Sequence, residues 1–158
     1  MPNHHPRIRA AAIILRGSKI LLARHEKEGR SYWVLPGGGV DFGETVGEAL
    51  VREVREEAGF QVRLGELVML NDSIPPDRHR HILNLYFLAE ITGGELRVGQ
   101  DDKRLRDVRF VEIDSLPELI LYPDIRERLY EGIRNGFPRT GIYLGNRWDE
   151  LAGKNEDV

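Results

Sequence analysis

Two nearly unbroken apolar runs open the chain. "RAAAIILRG" (Arg9–Gly17) and "KILLARH" (Lys19–His25), with Gly-Ser between them, predict a hairpin or two adjacent strands. "SYWVLPGGG" (Ser31–Gly39) predicts a third short strand entering a Pro-Gly loop. In "ETVGEALVREVREEAG" (Glu44–Gly59) the pattern turns helical, with Thr45 as N-cap, Glu48 three residues on as its capping-box partner and Gly59 as the stop. "FQVRLGELVMLN" (Phe60–Asn71) alternates and is rich in β-formers, so it predicts one long strand or two short ones. A polar, proline-bearing loop, "NDSIPPDRHR" (Asn71–Arg80), precedes the strands "HILNLYFLAEI" (His81–Ile91) and "DVRFVEI" (Asp107–Ile113). "YPDIRERLYEGIRNG" (Tyr122–Gly136) predicts a second helix over about 122–135, with Pro123 in its first turn and Gly136 past its end. Strands before and after a central helix, then a second helix, predict an α/β chain: a mixed β-sheet sandwiched between helices.

The last stretch, 137–158, is not uniformly polar. "GIYLGNRWDEL" (Gly141–Leu151) places Tyr143 and Trp148 near the end of the chain. Left undocked it would expose large aromatic surface, so it is expected to pack on the domain or on a second copy of the chain, as in a homodimer. Only "AGKNEDV" (Ala152–Val158) reads as a free end.

Composition removes whole classes of function. At 158 residues the chain suits one domain spanning 1–158, and 41% hydrophobic with 31% charged residues is ordinary for a soluble protein. A formal net charge of −3 gives no electrostatic footprint for nucleic acid or anionic lipid. The absence of cysteine excludes disulfides, thiolate catalysis and Cys-based zinc sites, and suits the cytoplasm. No apolar segment approaches a membrane span, and the N-terminus reads as a strand rather than a signal peptide.

The central helix contains the chemistry. "REVREEAGF" (Arg52–Phe60) puts Glu53, Glu56 and Glu57 into five positions, so Glu53 neighbours both others on a helix. Such pairs cost a few tenths of a kcal/mol in water, but about 3 kcal/mol for charges about 6 Å apart at an effective dielectric near 20. With Glu53 at zero on a wheel of about 100° per residue, Leu50 falls near 60°, Val46 near 20° and Glu57 near 40°. Glu53 and Glu57 therefore continue the apolar stripe, while Glu48, Arg52 and Arg55 take the outward face. A solvated acidic face explains the charges but not that azimuth. Inward carboxylates are protonated, paired or metal-bound, and a hard divalent cation, Mg²⁺ or Mn²⁺, is the economical partner. The glycine-rich segment "PGGGVDFGE" (Pro36–Glu44) lets backbone approach a ligand or metal closely, and it lacks the lysine and Ser/Thr of a Walker loop.

Gly38, five residues, Glu44, seven residues, then Arg52-Glu53-Val54-Arg55-Glu56-Glu57-Ala58-Gly59-Phe60 resembles a complete Nudix box over 38–60. "LLARH", "YWVLPGGGVDFGE" and the closing "RFVEIDSLPEL" also resemble that family. The resemblance implies an α/β/α sandwich that hydrolyses a diphosphate linkage in a nucleoside diphosphate derivative, a small-molecule nucleotide. It implies metal ligation by Glu53, Glu56 and Glu57, with the Gly37 carbonyl as a further ligand, and a general base at Glu53 or Glu56. Gly38 and Gly59 would be structural, and Glu44 and Arg52 would hold the loop against the helix. The family also commonly takes a further carboxylate from a later loop; Asp101, Asp102 and Asp107 are candidates, with Asp107 preferred. Pro76, sixteen residues beyond the box, resembles some ADP-ribose pyrophosphatases, and the tyrosine marking many dinucleoside polyphosphate hydrolases is missing. ADP-ribose or a similar nucleotide-sugar is thus favoured over dinucleoside polyphosphates and oxidised nucleoside triphosphates. A non-catalytic nucleotide-sugar sensor ranks lower because the box is intact. Arg24, Arg78 and Arg80 are the expected phosphate contacts.

Overall fold

The computed structural model describes residues 4–140 and 142–148. The two opening apolar runs are strands buried from both faces. In β1 (Arg7–Ile13), Ala10 and Ala12 enter one core while Ala11 and Ile13 enter a second. In β3 (Lys19–Lys27), Leu21 and Ala23 face the first core and Ile20 and Leu22 the second. Side chains alternate along a strand, so a strand covered on both sides must be apolar at every position.

The two runs do not pair with each other as a simple hairpin. The hairpin joins β3 to a short β2 (Leu15–Arg16), in register Leu15↔Ile20 and Arg16↔Lys19. β1 instead runs parallel to β7 (Ile82–Gly94), from Arg7↔Ile82 to Ile13↔Leu88. Two sheets result. One has the order β5-β1-β7-β6-β9, with β5 at Gly37–Gly39, β6 at Phe60–Ser73 and β9 at Ile142–Asn146. It is mixed: β1/β7 and β6/β9 are parallel, β1/β5 and β6/β7 antiparallel. The other is antiparallel, with β3 between β2, β4 (Arg30–Val34) and β8 (Leu105–Glu112). β6 is one long strand, with irregularities at Gln61/Val62 and between Leu64 and Met69.

Helix α1 (Val46–Ala58) covers the first core with Leu50, Val54 and Ala58. Helix α2 (Arg126–Asn135) and a 3₁₀ turn (Ile113–Glu118) cover the second with Leu129 and Leu116. The architecture is an α/β/α sandwich, and no helix among the described residues is long and apolar enough to cross a membrane.

Both ends of α1 follow local chemistry. Glu48 N–H donates to Thr45 Oγ1 at 3.1 Å, and Thr45 N–H donates to Glu48 Oε2 at 2.7 Å, a reciprocal capping box. Gly59 takes the left-handed conformation at φ 78° and closes the last turn on the Arg55 carbonyl. The second helix starts later than its sequence pattern suggests. Leu121 forms a parallel bridge with Trp33 of β4, and Tyr122 N–H donates to the Trp33 carbonyl at 2.9 Å. Pro123 therefore precedes α2 rather than lying in its first turn, and the helix begins at Arg126.

The end of the chain is docked as far as it is described. β9 lies parallel to β6, and Leu144 is buried in the second core. Asn146 exchanges two hydrogen bonds with the Ile74 main chain, at 2.8 and 3.0 Å. Trp148 meets Tyr122 edge to face at 6.4 Å. The Tyr143 side chain and residues 149–158 lie outside the described residues.

The capping box predicts that Thr45→Ala lowers stability by about 1 kcal/mol. Urea denaturation should show a lower midpoint with the same slope; an unchanged midpoint would mean that packing alone fixes the helix start.

Candidate active site

Helix α1 lies against β5, and the contact is close. A Cβ on Gly38 would sit 2.3 Å from the Glu53 carboxyl carbon, so only glycine lets that side chain lie on the strand. The expected glycine loop is thus in part a strand, paired with β1 in the register Ala11↔Gly37 to Arg9↔Gly39. Ladder pairing makes it a rigid floor beneath the carboxylates.

The three carboxylates meet three environments. Glu57 is buried, accepts a hydrogen bond from the Gly37 main chain, and its Oε2 has no partner among the described residues. Glu53 is half-buried and Glu56 exposed. Arg52 does not take the outward face that the helix wheel gives it. It folds back and donates to Glu53 Oε1 at 2.8 Å, with Glu56 Oε2 at 3.5 Å. It also donates to the Gly39 carbonyl at 3.2 Å and to both Glu44 oxygens, at 2.6 and 3.2 Å. Glu44 in turn accepts from the Asp41 N–H at 2.9 Å, which fixes the loop before the helix. A long guanidinium stem reaches around the helix face, which a wheel of Cβ directions does not show.

Glu53, Glu56 and Glu57 line a cavity of about 620 Å³. Its other walls bring Arg7 and Arg9 from β1, His25 and Lys27 from β3, Tyr32 from β4, and Asp101, Asp102, Lys103 and Arg104 from the segment before β8. No three carboxylate or imidazole groups among the described residues converge as a ready-made metal cluster. The donor chemistry nevertheless fits a hard divalent ion: carboxylate oxygens, one of them buried and unpartnered at the cavity wall.

Burial dominates the electrostatics. It pushes Glu57 up to about 8, opposed by the Arg9 charge and reinforced by Glu53 and Asp102. Glu53 is also raised by burial, against the pull of its Arg52 hydrogen bond. Glu44 is held below the ordinary range by its hydrogen bond from Arg52. Burial pushes Asp102 up too, but hydrogen bonds from Arg104 outweigh it and leave Asp102 lowered. His25 is lowered to about 4 by burial.

The expected phosphate contacts are largely misplaced. Arg24 is adjacent to His25 on β3, so it projects from the opposite face; His25 lines the cavity and Arg24 does not. Arg78 is exposed on the loop at φ 57° and is not on the cavity wall. Arg80 lies over the Trp148 ring at 5.0 Å, outside the lining, though its charge acts on Tyr32 and Tyr122. The cavity's cations are Arg7, Arg9, Lys27, Lys103 and Arg104 instead. The i, i+2 spacing of Arg7 and Arg9 ahead of an apolar strand is the signal that could have found the first two. Among the later aspartates, Asp107 is paired with Arg109 Nε at 2.6 Å and absent from the lining, whereas Asp101 and Asp102 line it. His25 and Tyr32 have no sequence signal of their own.

A family model described as NUDIX domain matches residues 5–133. The chain is 35% identical over 116 residues to an ADP-ribose pyrophosphatase of Methanocaldococcus jannaschii, covering 73% of this chain and 67% of that relative. It is 35% identical over 131 residues to an NAD-capped RNA hydrolase NudC of Pectobacterium carotovorum subsp. carotovorum, covering 82% of this chain and 48% of that relative. The chain thus spans about half the length of that NudC relative. Among solved structures, an ADP-ribose pyrophosphatase from Streptococcus suis matches with a TM-score of 0.66 at 26% identity, covering 92% of this chain and all of that one.

Burial of Glu57 gives a pH dependence with a definite sign. The unfolded chain releases this proton near 4.5, whereas the folded chain keeps it up to about 8. Stability from this group is therefore full below 4.5 and is lost as pH rises towards 8, at about 1.4 kcal/mol per unit. Glu57→Gln removes the titration. In EDTA the variant should melt close to wild type at pH 5 and clearly above it at pH 8. Parallel melting curves at both pH values would show Glu57 to be solvated.

Proposed function

We propose that this chain, which belongs to the Nudix family, hydrolyses the diphosphate linkage of a nucleoside diphosphate derivative, with ADP-ribose or a similar nucleotide-sugar as substrate. The observation that supports this most is a single cavity with a carboxylate wall on α1 and guanidinium groups on β1. Its volume of about 620 Å³ lies within the usual range for small-molecule sites. The substrate assignment is supported by the relative named ADP-ribose pyrophosphatase, and by Pro76 in the loop after β6.

In this reading Arg7, Arg9 and Arg104 neutralise the diphosphate and fix its orientation. Glu53 or Glu56 accepts a proton from the attacking water. The water oxygen forms a new P–O bond as the bridging P–O bond breaks, and the leaving phosphate takes the electron pair. Glu53, Glu56, Glu57 and the Gly37 carbonyl would hold Mg²⁺ or Mn²⁺. When bound, that cation supplies Lewis acidity to a phosphoryl oxygen and acidifies water. Arg52 and Glu44 hold the loop and helix in register without touching substrate. The cysteine-free composition supports a cytoplasmic setting.

Chromatographic detection of the two phosphorylated products formed from each of ADP-ribose, NAD, a dinucleoside polyphosphate and an oxidised nucleoside triphosphate tests the reading. Turnover should require Mg²⁺ or Mn²⁺ and disappear in EDTA. ADP-ribose should have the highest kcat/KM; a tenfold advantage for a dinucleoside polyphosphate or a triphosphate would replace it. Binding without hydrolysis of any member would indicate a sensor. Glu57→Gln should lose roughly a thousandfold in kcat if the missing ligand forfeits about 4 kcal/mol. Added Mg²⁺ should raise the melting temperature of wild type more than that of Glu57→Gln.

A further inference from the structure

We propose that His25 and Tyr32 form a hydroxyl-reading subsite on the β3–β4 wall of the cavity, which takes the sugar joined through the diphosphate; this rests on the diphosphate-hydrolase reading above. The two residues are cross-strand partners in the β3/β4 ladder, His25↔Tyr32, so their side chains leave the same face of the sheet side by side. Their rings meet edge to face at 5.7 Å. Both line the cavity, and they are 8% and 2% exposed. Yet His25 Nε2 and the Tyr32 hydroxyl have no hydrogen-bond partner among the described residues.

That combination is costly for a purely structural pair. A buried polar atom without a partner costs about 1–3 kcal/mol, and phenylalanine would fill the Tyr32 position without the cost. Two such atoms, on cross-strand neighbours whose side chains both line one cavity, are matched to a ligand that reaches into that wall. Their chemistry selects its class. Burial lowers His25 and raises Tyr32, so both are uncharged near neutrality. A neutral imidazole and a phenol offer donors and acceptors together, which suits hydroxyl groups that both donate and accept. A phosphate is better served by the guanidinium groups of Arg9 and Arg104 in the same cavity. The edge of Tyr122 packs against Tyr32 at 6.2 Å and extends the wall with a third ring. A sugar, with hydroxyl edges and apolar faces, fits a neutral polar pair set in aromatic rings.

The test compares ADP-ribose with ADP esterified to a plain pentyl chain, which keeps the base and the diphosphate and removes the terminal sugar. Tyr32→Phe deletes one unpartnered oxygen, so it should melt at or above the wild-type temperature. The kcat/KM ratio of ADP-ribose to the pentyl ester should fall about tenfold in that variant, the fold-change for one lost hydrogen bond of about 1.4 kcal/mol. His25→Gln, which retains hydrogen-bonding capacity, should give a smaller drop in the ratio than His25→Phe. An unchanged ratio in Tyr32→Phe overturns the subsite, as does an equal loss on both substrates, which would place Tyr32 against the base. If neither compound is hydrolysed, the hydrolase reading fails by itself. Calorimetric titration of both compounds in EDTA then reads the same ratio as Kd, and no preference of wild type for ADP-ribose overturns the subsite.

Discussion

One guanidinium holds the site in register. Arg52 bonds to Glu44 in the loop before α1, to the Gly39 carbonyl on β5, and to Glu53 on its own helix. These partners come from three backbone segments that packing alone would let slide past one another. With Arg52 in place, α1 cannot rotate without breaking charge-assisted hydrogen bonds, each about twice as strong as a neutral one. The absence of a side chain at Gly38 permits the approach, and Arg52 fixes it. Everything else in the cavity is measured from that contact, because β5 is paired to β1, and β1 provides Arg7 and Arg9.

The same contact leaves the carboxylates unequal. Arg52 neutralises Glu53 directly and reaches Glu56, but it does not reach Glu57, which is buried one turn beyond Glu53. Glu57 has only a main-chain hydrogen bond from Gly37 and the more distant charge of Arg9 to offset burial. Its charge is therefore the one that the fold does not balance within the helix. Three carboxyl groups on two adjacent turns persist because each is handled differently: one by an ion pair, one by solvent, and one by burial that favours its uncharged, protonated form.

How much of this was legible follows from the range of the interactions. The α1 caps and the azimuth of Glu53 and Glu57 depend on residues within a few positions, and a period of 3.6 sets those distances. The reach of Arg52 was not legible as geometry, since it depends on a flexible stem. The error at Arg24 has a sharper cause. β3 is buried on both faces between Ile20 and Ala23, so its apolar pattern contains no information about which face is which. Parity decides whether Arg24 or His25 enters the cavity, and a strand that is apolar throughout hides its parity. Asp107 and Asp102 were ambiguous for a related reason, since the start of β8 and its pairing with β3 are long-range facts. The start of α2 is likewise set at long range, because Trp33, about ninety residues away, bridges Leu121 and accepts the Tyr122 N–H.

That hidden parity also explains how one cavity comes to have walls of different character. The first core lies between α1 and the inner faces of both sheets, and its apolar contacts end where Glu53 and Glu57 begin. Beyond that point, the side chains on the inner face of β3 and β4 border the cavity rather than the core. His25 follows the buried Ala23 by one step of the same face, whereas Arg9 shares the parity of Ala11 and Ile13 and carries the stripe of the second core into the cavity. Tyr32 stands opposite His25 across the ladder. Each wall is thus the polar continuation of a buried strand or helix stripe, held as rigidly as the core it extends. In the proposed function the guanidinium groups of β1 attract a diphosphate, while the α1 carboxylates repel it unless a cation lies between them. On the β3–β4 wall Lys27 adds one positive charge, but His25 and Tyr32 add none, so recognition at that pair depends on hydrogen-bond geometry.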